Sequence, residues 1–213
     1  MDDTSSSISA SRRLIYVPIL HTAEDLGSLR DSVRQASMKK AGRIGWKRKS
    51  EIIESIWGET EKAVENLDLP WDRVRIYQDG LPICGRETEL VAEIAKTGSR
   101  NYRLVLDLIN RGATIMGTES LELLMEEYDE AKRSLASKPE KTRQRRPPGD
   151  DALLQRRDRF IAERINDTLQ TGETGLVFLG MLHSLESWLD PSIEVVYLLN
   201  RPEPHRLVSD KED

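Results

Sequence analysis

With 213 residues, 38% of them hydrophobic and 32% charged, the chain is long enough to bury one good core and is most simply one α/β domain. Its net charge of -5 gives no general reason to expect nucleic acid as a partner, and no run approaches the ~18 apolar residues of a membrane span. The single cysteine, Cys84, excludes an internal disulfide and zinc-ribbon spacings, and with only His21, His183 and His205 available a metal site must lean on carboxylates.

Residues 1–11 are polar, lack the apolar stretch of a leader and are expected to be disordered, in a soluble, cytoplasmic protein. Leu14 to Leu20, LIYVPIL, is apolar throughout and predicts a first buried strand, in which Pro18 has no N–H for the ladder. His21 ends it. Thr22 is placed to cap a helix with Asp25 in its first turn and Leu26, Leu29 and Val33 on its buried side. Periodicity predicts a second, longer helix over about Trp46 to Asn66, with Ile52, Ile53, Ile56, Trp57, Ala63 and Val64 inward. Pro70 and Trp71 break that pattern before a short strand at Val74 to Tyr77, which ends in Gln78-Asp79-Gly80.

Leu81 to Gly85 is expected as a loop, followed by helices over about Glu87 to Thr97 and Asn101 to Arg111, the second stopped by Gly112. Thr114 to Met116 forms a third strand, and Gly117-Thr118-Glu119-Ser120 leads into a helix made amphipathic by Leu121, Leu124, Met125 and Tyr128. Ser137 to Asp150, SKPEKTRQRRPPGD, cannot supply an apolar face and is expected as a protease-sensitive basic loop.

The stretch Arg156 to Glu186 organises the remainder. Leu154, Ile161, Ile165 and Leu169 fall at helical spacing, with Arg157 and Asp158 at the border of that stripe. Charges there are costly unless paired or used. Gly172 and Gly175 bracket a turn, and Gly175 to Leu182 carries no charge, as a strand buried on both faces of a parallel sheet requires. His183 stands where that run stops. A short helix near Ser184 to Leu189 and a last strand at Ile193 to Leu199 complete a domain of residues 12–200, with a loose tail over 201–213.

Strands alternating with helices predict a single Rossmann-like domain, with a mostly parallel sheet of about five strands covered by helices on both faces. Ligands of such sheets bind beyond the carboxyl ends of the strands, and His21, Gln78, Asp79, Glu119 and His183 all follow predicted strands. No Gly-rich phosphate loop, Walker sequence or Gly-x-Ser-x-Gly elbow accompanies them. Each residue also has a plainer reading: Glu119 as an acid favoured in the first turn of a helix, Asp79 as a turn former, Arg157 and Asp158 as a structural pair. A cysteine with a histidine and an acid carries the runner-up chemistry, but Cys84, between Ile83 and Gly85 with no cation beside it, is expected to be a small packed residue and not the nucleophile.

With His21 at the end of one strand and Gly180-Met-Leu-His183 at the end of another, after a helix carrying Arg157 and Asp158, the chain resembles the superfamily of TraB, Tiki, ChaN and erythromycin esterase. The later motif fits in full, whereas Pro18-Ile-Leu-His21 has proline where that superfamily usually has glycine. The resemblance implies a Rossmann-like core with a site between the histidines, places for acidic residues at Glu24 and Glu119, and either hydrolysis of esters or peptides, in some members with a metal, or heme binding. The wording RIYQDGLPICG and MGTES also resembles short bacterial proteins, a kinship that implies no function.

These observations lead to the expectation of a hydrolase acting on a small molecule or peptide. His21 and His183, with Glu119 or Asp79, either hold a divalent metal (Zn or Mn) or act directly as general base. Arg157, with Asp158 beside it in the catalytic set, is expected to hold an anionic group or a developing oxyanion. The alternative is a non-catalytic ligand or sensor protein for heme or a nucleotide in the same crevice. Four tryptophans against two phenylalanines leave room for a homodimer contact. Both histidines are expected to converge on one site and to be removable with little loss of stability.

Overall fold

The computed structural model describes residues 12–22, 24–25, 30–136 and 152–199. The expectations for the two tails, the basic loop and the buried positions Leu26 and Leu29 lie outside the described residues. In chain order the elements are β1 (Arg12–Ile19), α1 (Arg30–Glu65), β2 (Val74–Gln78), α2 (Glu87–Lys96), α3 (Arg100–Asn110), β3 (Thr114–Met116), α4 (Leu121–Ala136), α5 (Ala152–Thr168), β4 (Thr174–Gly180) and β5 (Ile193–Tyr197). The strands form one sheet in the order β3-β2-β4-β1-β5, every pair parallel. This is the expected Rossmann-like α/β architecture.

Helices cover both faces of the sheet. On one, Ile15, Val17, Ile76, Leu176 and Phe178 pack with Trp57 and Val64 of α1 and with side chains of α2 and α3. On the other, Leu14, Tyr16, Tyr77, Val177 and Leu179 meet Ile161, Ala162 and Ile165 of α5. The alternation follows from the period of two along a strand. Being central, β4 has apolar layers above and below, so its run from Gly175 to Gly180 is fully buried and must be free of charge.

Pro18 is accommodated without loss. The Tyr16 carbonyl accepts from the Leu198 N–H on the β5 side, and Pro18, two residues on, faces the same way. The β1–β5 pairing stops at Tyr16 and Tyr197, so no ladder partner waits for the missing N–H.

Thr22 and Asp25 pair as the expectation of a cap requires: the Thr22 N–H and hydroxyl both donate to Asp25 Oδ2, at 2.6 and 2.9 Å, the bond that a first-turn acid makes to a capping residue. Several other local expectations are corrected. The helix expected from Trp46 extends back to Arg30, interrupted at Gly42, whose φ of 68° and ψ of 171° are not helical. Its inner face is Trp57, Thr60 and Val64, and Ile52 is 51% exposed. In α4 the buried residue is Leu123, while Leu121 and Met125 face solvent. In α5 Leu153, not Leu154, is buried, and it shares its face with Arg157 and Asp158, which are enclosed and do not border a stripe. β4 ends at Gly180, and Ser184 to Leu189 forms turns in place of a helix. In α1, α4 and α5 periodicity located the element, but the neighbouring layer chose the buried face.

Gly175 marks the tightest packing in the sheet. A Cβ there would stand 2.7 Å from Leu14 Cδ1 and 3.3 Å from Tyr77 Cε2, with both side chains already buried. Gly175→Ala is expected to destabilise the fold by about 1–3 kcal/mol, the usual cost of overpacking. A urea midpoint equal to that of the parent would show that the core yields there.

Candidate functional site

The order of the strands sets the edge at which the candidate residues meet. β1 is followed by α1 on one face of the sheet, whereas the segment after β4 turns to the other, where Leu185 joins the second core. Adjacent strands whose continuations leave on opposite faces open a cleft at their carboxyl ends. β2 lies on the far side of β4, so the residues after β1, β4 and β2 meet at one edge.

Asp79 is the hub of that edge. The β2–β4 ladder runs one bond further, from the Asp79 N–H to the Phe178 carbonyl at 2.9 Å, which sets Asp79 beside the end of β4. Its Oδ2 accepts from the Gly180 N–H at 2.9 Å and from His21 Nε2 at 2.8 Å, and lies 3.4 Å from His183 Nε2. Its Oδ1 accepts from Arg157 Nη2 at 2.8 Å. Burial alone would raise the carboxyl's pKa, but the hydrogen bonds from His183 and His21 outweigh that and hold it well below the ordinary range.

Gly180 explains the Gly-x-x-His spacing. A Cβ at this position would lie 3.2 Å from both Asp79 Oδ2 and His21 Nε2, so the glycine admits the two groups that meet there. A tight turn, closed by the His183 N–H donating to the Gly180 carbonyl at 3.1 Å, then carries His183 back over the same carboxylate.

His183 is enclosed, with its side chain 4% exposed. Nδ1 donates to Asp158 Oδ1 at 2.5 Å, and Asp158 Oδ2 accepts from the Ser184 N–H at 3.0 Å. Burial would lower the imidazole pKa, but the bonds to Asp158 and Asp79 dominate and push it up to about 9. With a carboxylate at each nitrogen, it is an imidazolium at neutral pH.

Arg157 ties Asp79 to Glu119. Nε and Nη2 clamp the Glu119 carboxylate at 2.6 and 2.7 Å, Nη2 also reaches Asp79, and Nη1 donates to Glu127 at 2.7 Å. Glu119 Oε1 accepts in addition from the Gly80 N–H at 2.7 Å. Burial raises the Glu119 carboxyl against the opposing bond from Arg157, and Asp79 nearby raises it further. The Arg157 pKa is raised above its ordinary value because the bonds and charge of Glu119 outweigh its burial.

All six residues picked out from sequence, His21, Asp79, Glu119, Arg157, Asp158 and His183, therefore enter one connected network. The role expected of Arg157 as a substrate clamp does not suit its surroundings, because each guanidinium nitrogen already serves a carboxylate. The donor set does not fit a metal either. Asp79 and Glu119 are saturated by protein N–H groups, the ring nitrogens of His183 both face carboxylates, and among the described residues no group of three or more His, Cys, Asp or Glu side chains is arranged to hold an ion. Cys84 is exposed, not packed, and its N–H donates to Glu87 Oε1 at 2.8 Å. Glu24 sits in the turn after β1, where its carbonyl accepts from Thr97 at 3.4 Å.

Sequence reasoning placed Gln78 at this edge, and its side chain donates to the Asp79 carbonyl at 3.1 Å. It missed Glu127, which reaches Arg157. Asp25 anchors the turn after His21 to α3 through Ser99 at 2.5 Å. Only the i, i+8 relation of Glu119 and Glu127 was visible in advance, and it has no diagnostic value.

No protein-family model matches the chain, and comparison with curated proteins and with solved structures yields no match. Fold and site define it as a Rossmann-like α/β protein with a buried carboxylate, imidazole and guanidinium network at the carboxyl edge of its sheet. No helix among the described residues is long and apolar enough to cross a membrane.

The burial of His183 corrects the expectation that it is removable at little cost, since its loss leaves Asp158 and Asp79 buried without their cation. A histidine whose pKa is raised on folding contributes stability that is complete below about 6.5 and lost as pH rises through about 9. The parent is therefore expected to lose on the order of 3 kcal/mol between pH 6.5 and 9.5. His183→Asn, which keeps a donor but does not titrate, should start less stable and lose little over that range. Equal pH slopes for the two in urea denaturation would contradict the assignment.

Proposed function

We propose that the protein is a hydrolase working without a metal, with His21 as general base, Asp79 as the residue that orients it and His183 as a fixed cation beside it. One observation carries this reading. His21 is 40% exposed while Asp79, Glu119, Arg157, Asp158 and His183 are buried, and its Nε2–H is held on Asp79 while Nδ1 has no hydrogen bond among the described residues. A buried carboxylate that fixes one nitrogen of an imidazole leaves the other to take a proton from water. Water deprotonated at Nδ1 attacks a substrate carbonyl, and the proton returns from His21 to the leaving group. The resemblance to the TraB and erythromycin esterase superfamily supports the same reaction class, hydrolysis of an ester or peptide.

The pH dependence follows from the two histidines. Burial lowers the His21 pKa, but the bond to Asp79 overcomes this and raises it above 6.5, so kcat/KM is expected to climb as pH passes that raised value and His21 becomes neutral. It should fall again through about 9 as His183 loses its charge.

On a panel of p-nitrophenyl esters of graded acyl length, His21→Gln is expected to reduce kcat/KM by about 100-fold or more with little change in melting temperature. EDTA should leave the parent's activity intact. Activity lost to EDTA and restored by zinc or manganese would replace this mechanism with the metal-dependent one. Absence of turnover together with a Soret band or a retained nucleotide would make the protein a ligand carrier.

A further inference from the structure

The charge of the chain is unevenly distributed, and the first part of α1 is strongly basic. Residues 30–49 contain eight basic residues and one acid in a protein of net charge -5. Among the described side chains of α1, those buried in the core lie at Trp57 and beyond, and none from residues 30–49 is buried. Arg34, Lys39, Lys47, Arg48 and Lys49 are exposed. Among the described residues only Lys47 of these five has an ion pair, a 3.9 Å contact with Glu51.

The break at Gly42 shapes this arm. Residues 34 and 46 would be about 18 Å apart along a straight helix. Instead the Arg34 guanidinium lies 5.6 Å from the Trp46 ring centroid, so the chain bends there and gathers Arg34 near the Lys47-Arg48-Lys49 triplet. Nothing in the domain core requires such a concentration of like charge on an unpacked helix, where it costs repulsion with every neighbour.

We propose that this bent helical arm is a docking site for nucleic acid, gripping the phosphate backbone with its basic side chains. The expectation drawn from overall charge addressed the sum and not its distribution. The arrangement favours nucleic acid over an anionic membrane. Ile44 is 87% exposed but has Lys47 and Arg48 three and four residues on, so the arm has no continuous apolar face to lay into lipid. Consecutive basic residues such as Lys47, Arg48 and Lys49 fan around a helix, which suits a polyanion contacted on more than one side, and Trp46 after the break adds an aromatic surface of the kind on which bases stack.

The test uses the full chain with a fluorescein-labelled 20-base-pair DNA duplex and, separately, a 20-nucleotide single-stranded RNA. Anisotropy titrations at 50 and 200 mM salt should show binding to at least one that weakens steeply with salt. The triple substitution Lys47→Gln, Arg48→Gln, Lys49→Gln should weaken it by about 10-fold or more at low salt and reduce the salt slope by up to about three. Its melting temperature should match the parent's, because these side chains are exposed. No salt-dependent binding to either probe, or equal binding by the triple variant, overturns the proposal. So does binding confined to phosphatidylglycerol vesicles in a sedimentation assay.

Discussion

The constraint on which the structure depends is the burial of Asp79 as an anion at the carboxyl edge of the sheet. An ionised carboxylate without partners costs several kcal/mol in such a place, far more than a strand end can absorb. Four groups meet that cost: the Gly180 N–H, the Arg157 guanidinium and the two imidazoles. Each then makes its own demand. Arg157 carries its excess positive charge to Glu119, and His183 carries its own to Asp158. Paired charges thus spread outward from one residue until the backbone N–H groups of Gly80 and Ser184 complete the outer acceptors.

The parallel sheet makes this possible at short range. Strands about 4.8 Å apart, all ending at one edge, bring the residues after β1, β4 and β2 within side-chain reach although His21 and Asp79 are 58 positions apart and Asp79 and Gly180 are 101 apart. α5 then lies across the face opposite α1, and its first turns present Arg157 and Asp158 on the side turned toward the sheet. Gly180 lies against both Asp79 and His21, and a side chain there would crowd the space in which the two meet.

The network is asymmetric in exposure, and that asymmetry separates structural from chemical work. The pairs around Arg157 and His183 are enclosed, and breaking one strands a charge in the interior. His21 belongs to the same network through one nitrogen but meets solvent with the rest of its ring. In the proposed reading, a rigid, pre-charged surround with one accessible imidazole places chemistry at the opening and stability behind it. The basic half of α1 contrasts with it: among its described side chains Arg34, Lys39, Lys47, Arg48 and Lys49 are exposed, and of these five only Lys47 has an ion pair.

What the sequence by itself determined was the set of elements and their shared edge. Apolar runs without charge at Leu14 to Ile19 and Gly175 to Gly180 can only be interior strands, and alternation with helices makes their ends converge, so His21, Asp79, Glu119 and His183 were legible as neighbours. The charged pair Arg157-Asp158 was legible as costly and therefore engaged. Only the tertiary structure decided with whom. That Arg157 spends itself on three carboxylates, that His183 is locked between two of them while His21 stays open, and that α4 buries Leu123 with Leu121 left out all depend on which layer lies opposite. Periodicity records how far apart residues lie on one element, whereas partner choice depends on distances between elements, which no local pattern encodes.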